Sequence, residues 1–341
     1  MATGVEPRTQ RNSTRARLIS LLGVAVAAGT LTWLASRLPP PSASDFQQFW
    51  VAARALVQGD DPYAAVRTMW RWPLFYPLPA VLLSLPFSVL PLVAARVLWA
   101  MVSAALFMYA AQRTTRPLWI GALSAGFLQA IVLGQWSPIL TAGAVLPWVG
   151  AVWVAKPTIG LALFAGWPRR QAVIGGALLV LASLLVDPHW PVHLWHARGE
   201  ALYRAPLMRP GGVLLLLALL RWRSPQARLL AAMACVPHAL TLYDTLPLFL
   251  IPARKGEAYG LAAMTYLALF LTEVRVAGGA PLGADPDLRW ALMFTLVYFP
   301  VLIMLLLPLW TGRGERRHHP EWRTSVDPIG DHGSAAPAFG D

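Results

Sequence analysis

Long apolar runs separated by short polar breaks recur along the whole chain and predict a helical membrane protein. Residues 18–35, 93–111 and 290–310 are each long and apolar enough to cross a bilayer as one helix. Other apolar runs lie between them, although prolines and glycines interrupt several. Counting all of these runs, we expect an all-α polytopic membrane protein with about eight to ten crossings.

The interrupted runs predict half-helices rather than clean spans. Residues 76–92 contain four prolines and are expected to be only partly embedded. Residues 139–155 either run inward or form two half-helices broken at Pro147, so the number of crossings in this part of the chain stays open. Residues 229–236 and 245–252 predict a second pair of half-helices or one span broken in the middle.

The two ends of the chain indicate its orientation. Four arginines precede the first apolar run, and the positive-inside rule places them in the cytoplasm. A cleaved signal peptide is disfavoured, because the run is long and bulky Trp33 or Leu34 would occupy a position that needs a small residue. We therefore expect residues 1–17 to be cytoplasmic and residues 18–311 to be embedded in a bacterial inner (plasma) membrane. Residues 312–341 predict a disordered cytoplasmic tail.

The polar stretch at residues 39–76 is expected to form the first outer loop. Within it, residues 45–57 place six apolar side chains at helical spacing, namely Phe46, Phe49, Trp50, Ala53, Leu56 and Val57. A short amphipathic helix of this kind lies along the membrane surface. Gly59 and the Asp60-Asp61-Pro62 turn are expected to end this interfacial helix.

Composition supports a membrane protein and argues against nucleic-acid binding. Hydrophobic residues make up 57% of the chain and charged residues 13%, against about 25% charged in soluble domains. The net charge of +12 comes from arginines that cluster in the breaks and tails rather than on a basic surface. The single cysteine, Cys235, excludes an intrachain disulfide and is expected to be a small buried hydrophobe.

Five polar features are expected near the outer face, although they are far apart in the sequence. They are Asp45, Tyr76-Pro77, Gly134-Gln135, Lys156, and His238 with Tyr243-Asp244. Ionisable groups and broken helices are costly in hydrocarbon and persist where they line a cavity or serve a function. Their convergence on one leaflet therefore predicts a functional site.

The same features belong to five motifs that follow one another in a set order. The motifs are residues 45–56 with 59–63, residues 75–79, Gly134-Gln135, residues 155–158, and Pro237-His238 with Tyr243-Asp244. In this order they resemble the signatures of glycosyltransferase family 87. The members of this family are membrane enzymes of the C-type superfamily that use polyprenyl-phosphate sugars. Ser137 stands where that family usually has an asparagine, and the chain is shorter than expected between Gln135 and Lys156.

The resemblance implies a C-type glycosyltransferase-like helical bundle with its site on the outer side. It implies transfer of a hexose such as mannose, or of a pentose, from a polyprenyl-phosphate donor to a glycolipid or glycan acceptor. It also implies that Asp45 is the general base. Six further residues become candidates for binding the donor phosphate or sugar: Lys156, Gln135, Tyr76, Asp244, His238 and Arg54.

Several of these residues also have a purely structural interpretation. Asp45 can cap the surface helix, and Gln135 can cap a helix end. Lys156 can extend from a helix end towards water. His238 can be a structural hydrogen-bonding residue, and Arg54 can contact solvent or lipid headgroups.

Metal ligands are not expected. His189, His193 and His196 share a loop with two tryptophans, and their spacing suggests zinc. However, no acidic residue completes an HExxH arrangement, and a position at headgroup depth is preferred. The Asp60-Asp61 pair is interpreted as a turn, and His318-His319 in the tail gets no role. The sequence thus predicts no metal-binding residues and no cofactor, and it leaves the metal dependence of the reaction open.

Two other functions stay open alongside the transferase. A multi-pass transporter or flippase would use broken helices for a substrate path, although the chain shows no convincing internal repeat. An inactive relative of the family would act as a membrane assembly partner. The sequence does not specify the sugar or the acceptor.

Overall fold

The computed structural model describes residues 8–38, 44–69, 73–199, 203–239, 241–274 and 281–310, and in these residues the regular elements are helical. The α-helices are α1 (Arg8–Ala35), α2 (Asp45–Gln58), α3 (Pro62–Met69), α4 (Leu78–Ser88), α5 (Leu92–Ala111), α6 (Ala125–Leu133), α7 (Ser137–Val145), α8 (Pro157–Gly166), α9 (Arg170–Val186), α10 (Trp190–Gly199), α11 (Pro225–Cys235), α12 (Lys255–Glu273), α13 (Pro286–Met293) and α14 (Phe299–Trp310). The longer 3-10 helices are Leu118–Leu123, Pro147–Ala155, Gly212–Arg221 and Leu242–Leu250. The all-α prediction is therefore confirmed.

Three helices in the described residues are long and apolar enough to cross a membrane: Thr14–Ala35, Leu92–Ala111 and Pro286–Leu307. The number rises to five if each of two sharply bent helix pairs counts as one span. This is fewer than the eight to ten crossings expected from the sequence. The difference arises because breaks shorten the other apolar helices, such as Leu78–Ser88 and Pro157–Gly166, below the length of a span.

Most predicted breaks occur where the prolines and glycines lie. The half-helices expected around Pro147 are α7 and the 3-10 helix Pro147–Ala155. The pair expected later in the chain is α11 and the 3-10 helix Leu242–Leu250. The sequence did not predict α3 or α10, because both lie in stretches that were interpreted as polar loops.

Helix α2 forms as predicted but is not a surface helix. Phe46 and Phe49 have no exposed surface, and both rings contact Trp99 of α5. Val57, which was expected on the apolar face, is 67% exposed. Helix α2 is thus packed into the protein interior, and it ends at Gly59, whose φ of 81° is readily adopted only by glycine.

Arginines stabilise the ends of the broken helices. Four of them donate hydrogen bonds to carbonyl oxygens at or next to helix C-termini: Arg96 to Val132, Arg116 to Ile251, Arg169 to Ala144, and Arg228 to Ala165 and Gly166. The last carbonyls of a helix have no intrahelical donor and cannot be left bare in an apolar environment. A guanidinium supplies several donors in a fixed fork. This role gives a physical reason for the preference for arginine over lysine in the chain.

The described residues up to Leu306 form one compact unit, and a second unit begins at Leu307. Only the last residues of α14 are described in the second unit. The predicted disordered tail at residues 312–341, including His318-His319, lies outside the described residues.

Candidate functional site

Five of the predicted site residues lie at the ends of helices. Asp45 is the first residue of α2, and Lys156 immediately precedes α8. Asp244 is in the first turn of the 3-10 helix Leu242–Leu250. Gln135 lies at the 119° bend between α6 and α7, and Tyr76 lies two residues before α4. Helix ends thus bring side chains from distant parts of the sequence to one place.

These five residues form one hydrogen-bonded group, which we call the Asp45–Lys156 network. The Gln135 amide donates to a carboxylate oxygen of Asp45, while its Oε1 accepts from Lys156 Nζ at 3.3 Å and from the Tyr76 hydroxyl at 3.3 Å. Lys156 Nζ also lies 2.5 Å from Oδ1 of Asp244. The predicted convergence of these residues is therefore present in the structure, while their chemical roles stay predictions.

Asp45 does not act as a helix cap. The N-cap residue of α2 is Ser44, and its side chain makes no capping hydrogen bond. The Asp45 carboxylate instead accepts from Gln135 and from Gln48 Nε2 at 3.4 Å. Burial raises the pKa of Asp45 above its ordinary value, and the nearby ammonium of Lys156 partly offsets that rise. Asp45 still keeps part of its surface exposed.

Lys156 is the cation of the network. Its side chain is 15% exposed, whereas Asp244 is 1% exposed. The ammonium also lies over the ring of Tyr243, 4.8 Å from the centroid. Two carboxylates face one ammonium, so the network carries a net charge of −1 when all three groups are ionised. The second carboxylate oxygen of Asp244 is buried without a hydrogen-bond partner among the described atoms.

Gln135 is held in place by the turn that precedes it. Its backbone amide donates to Ala130 at 2.7 Å and closes the end of α6, so the side chain is free to join the network. Gly134 adopts a φ of 69°, and a Cβ atom there would lie 2.5 Å from Cβ of Phe46. The turn therefore needs glycine both for its backbone and for its close approach to α2. Gln135 thus caps the end of α6 through its backbone amide, while its side chain bonds the network.

His238 lies beside the network but is bonded elsewhere. Its Nδ1 lies 2.9 Å from the Val236 carbonyl oxygen, and its Nε2 lies 2.8 Å from the Tyr298 hydroxyl. Because a carbonyl only accepts, Nδ1 carries the proton and Nε2 accepts from Tyr298. Burial lowers the pKa of His238, although the charge of Asp244 acts in the opposite direction. The contacts fit a neutral structural histidine that fixes the chain near Asp244.

Two groups of residues lie apart from the network. Arg54 is exposed, and its guanidinium lies over the ring of Trp50, 4.9 Å from the centroid. The Nδ1 atoms of His189, which follows α9, and of His193, in α10, lie 4.0 and 3.8 Å from the carboxylate of Asp187. Among the described residues, no group of three or more His, Cys, Asp or Glu side chains is arranged to hold a metal ion.

Three further residues near the site were not among the site residues predicted from the sequence. Gln48 lies one helical turn after Asp45, so its position on the same face was predictable from the helix itself. Tyr243 was noted beside Asp244 but given no role. Tyr203 lies in a predicted loop, and the negative charges of Asp45 and Asp244, after burial, raise the pKa of its hydroxyl. The sequence gives no signal that would bring Tyr203 to the site.

The network combines a carboxylate that can accept a proton with a cation that can bind an anion. A partly exposed acid of raised pKa is suited to act as a general base, and a half-buried lysine is suited to hold a phosphate. Comparisons of the chain with protein-family models, curated proteins and solved structures found no match.

Proposed function

We propose that this protein is a membrane glycosyltransferase that moves a sugar from a polyprenyl-phosphate donor to a hydroxyl acceptor at the outer face of a bacterial inner membrane. The main support is that Asp45 and Lys156, 111 positions apart by their numbers, meet through the single side chain of Gln135. The ordered motifs that resemble glycosyltransferase family 87 contain all three residues. Three helices long enough to span a membrane agree with a lipid-linked donor.

In the proposed reaction, Asp45 takes the proton of the acceptor hydroxyl as that oxygen attacks the anomeric carbon. The bond between the anomeric carbon and the phosphate oxygen breaks on the opposite side, and both of its electrons leave with polyprenyl phosphate. The anomeric configuration is therefore inverted. The hydrogen bond from Gln135 orients the carboxylate, and the raised pKa of Asp45 makes it a better proton acceptor than an ordinary aspartate.

Lys156 is the proposed contact for the phosphate of the donor and of the leaving group. It directly precedes α8, and the first amides of a helix have no intrahelical acceptor and favour anions. An ammonium close to the bridging oxygen stabilises the negative charge that develops there. Oδ1 of Asp244 lies 2.5 Å from the ammonium of this lysine. Asp244 thereby holds Lys156 in a fixed orientation.

Orientation follows from charge. The four arginines at the start of α1 favour a cytoplasmic N-terminus, and the chain after α1, including Asp45, would then lie outside. A polyprenyl-phosphate donor has its phosphate at headgroup depth, which is where a partly exposed acid just after the first span would meet it.

The test is a transfer assay with purified protein in proteoliposomes that contain labelled polyprenyl-phosphate mannose or arabinose and short mannoside acceptors. We expect a glycosylated acceptor and release of polyprenyl phosphate from the wild type, and much less product from Lys156→Met. Movement of the labelled lipid across the bilayer without any product would contradict the transferase and support the flippase. Absence of both activities would favour the assembly partner.

A further inference from the structure

One side of the Asp45–Lys156 network is open, and that side is aromatic. Within the network, Tyr76, Gln135 and Asp244 are buried, while Asp45 and Lys156 keep some exposed surface. A molecule that reaches the base must therefore approach from the side on which these two residues are exposed.

Two aromatic residues in this part of the structure, Tyr203 and Phe75, pack against each other. Their ring centroids lie 6.2 Å apart in an edge-to-face arrangement, and Tyr203 is 50% exposed. Phe75 directly precedes Tyr76, whose hydroxyl bonds Gln135, so the ring pair adjoins a network residue in the chain. Burial raises the pKa of the Tyr203 hydroxyl, and the negative charges of Asp45 and Asp244 add to that rise, which agrees with a position near the carboxylates.

A half-exposed ring beside a base is well suited to hold a sugar. One face of a pyranose carries several C–H groups and little polarity, so it packs on an aromatic ring while its hydroxyls bond neighbouring polar groups. We propose that Tyr203, supported by Phe75, is the wall on which a sugar ring of the substrate lies when it meets Asp45. This inference rests on the proposed transfer reaction and adds a specificity-determining residue to it.

The test compares Tyr203→Ala, Tyr203→Phe and the matched control Tyr259→Ala. Tyr259 is 47% exposed and packs edge-on against Trp119 at 6.0 Å, but it lies on α12. Initial rates are measured against the concentration of polyprenyl-phosphate mannose and, separately, of n-octyl mannoside. We expect Tyr203→Ala to raise one of the two KM values about tenfold with kcat nearly unchanged. Tyr203→Phe and Tyr259→Ala should both behave like the wild type.

The two titrations identify which sugar lies on the wall. A raised KM for n-octyl mannoside places the acceptor sugar there, and a raised KM for the lipid-linked mannose places the donor sugar there. Unchanged KM values for both substrates in Tyr203→Ala would overturn the inference while leaving the transfer reaction intact.

If the wild type makes no product, that result counts against the proposed function itself. A binding measurement then still tests the role of Tyr203. Saturation-transfer NMR detects magnetisation passing from aromatic protons of the protein in nanodiscs to the ring protons of n-octyl mannoside. We expect a signal from the wild type, Tyr203→Phe and Tyr259→Ala, and its loss in Tyr203→Ala. An equal signal in all four proteins, or no signal in the wild type, would overturn the proposal that a sugar ring packs on Tyr203.

Discussion

The ammonium of Lys156 lies 2.5 Å from a carboxylate oxygen of Asp244, although 88 positions separate the two residues. Asp244 is almost fully buried, and the Lys156 side chain is 15% exposed. A buried pair of this kind is costly to form and more costly to break, since removing one partner leaves an uncompensated charge. The pair therefore fixes the half-helix that carries Asp244 against the start of α8.

Removing the cation should destabilise the protein and change its pH dependence. Lys156→Met leaves two carboxylates without a counter-charge, and we expect a loss of on the order of 3 kcal/mol in stability. The ammonium lowers the pKa of Asp45, so its loss raises that pKa further. In any residual transfer, the acidic limb of kcat/KM should move to higher pH, because a base must be ionised to act. An unshifted acidic limb would show that Asp45 is not the titrating base.

The pH dependence of stability tests the burial of Asp45 separately from activity. The pKa of Asp45 in the folded protein is raised above its ordinary value of 3.8, so folding favours the protonated form. Its contribution to stability is complete below the unfolded pKa and is lost as the pH rises through the folded pKa. Asp45→Asn should therefore gain thermal stability relative to the wild type between pH 4 and pH 8. A difference in unfolding temperature between Asp45→Asn and the wild type that stays constant with pH, or that shifts in favour of the wild type as the pH rises, would contradict the raised pKa of Asp45.

The Gly134 turn is predicted to be more sensitive than the Gly59 turn. Both glycines have positive φ, but a Cβ at Gly134 would meet Phe46 at 2.5 Å, whereas nothing lies within 4 Å of a Cβ at Gly59. Gly59→Ala should cost only the backbone strain of about 1 kcal/mol. Gly134→Ala adds a clash next to Asp45 and should lower both the unfolding temperature and the rate of transfer. Equal effects of the two substitutions would show that the contact with Phe46 is unimportant.

Arg96 is predicted to support Gln135 from within a membrane helix. Its guanidinium bonds the Val132 carbonyl 3.2 Å away, and Thr32 bonds the adjacent carbonyl of Ile131. These two carbonyls precede the turn that presents Gln135. Arg96→Met should lower kcat about tenfold or more. A small displacement of Gln135, and through it of Asp45, raises the activation free energy much more than it lowers the free energy of unfolding.

Arg228→Met is the matched control, since Arg228 also bonds carbonyls at the end of a helix, α8. It should destabilise the protein without a comparable loss in kcat per folded molecule. Parallel losses of kcat in both variants, measured on protein of verified folded fraction, would contradict a specific role for Arg96.

The sequence predicted the helical class and most of the breaks, because prolines, glycines and apolar runs act locally. It also predicted which polar residues converge, since Gln135, Lys156 and Asp244 each interrupt apolar surroundings that would otherwise exclude them, and Asp45 begins the amphipathic segment that follows the first apolar run. The number of spans was overestimated, because hydropathy does not show where a helix stops short of a bilayer thickness.

The burial of α2 was missed for a different reason. Its apolar side chains fit a membrane surface and a protein interior equally well, and only the tertiary position of Trp99 decides between them. The position of Tyr203 depends on a long-range contact with Phe75, which no local pattern indicates.

The measurement that tests the central claim most directly is transfer by Asp45→Asn, beside Asp60→Asn as a control from the same part of the chain. Asp60 is exposed, so its substitution should leave transfer unchanged. We predict that Asp45→Asn inserts and folds normally but loses transfer from polyprenyl-phosphate sugar by at least a hundredfold, the low end of what a general base contributes, about 10²–10⁴. Transfer at the wild-type rate by Asp45→Asn would contradict the account.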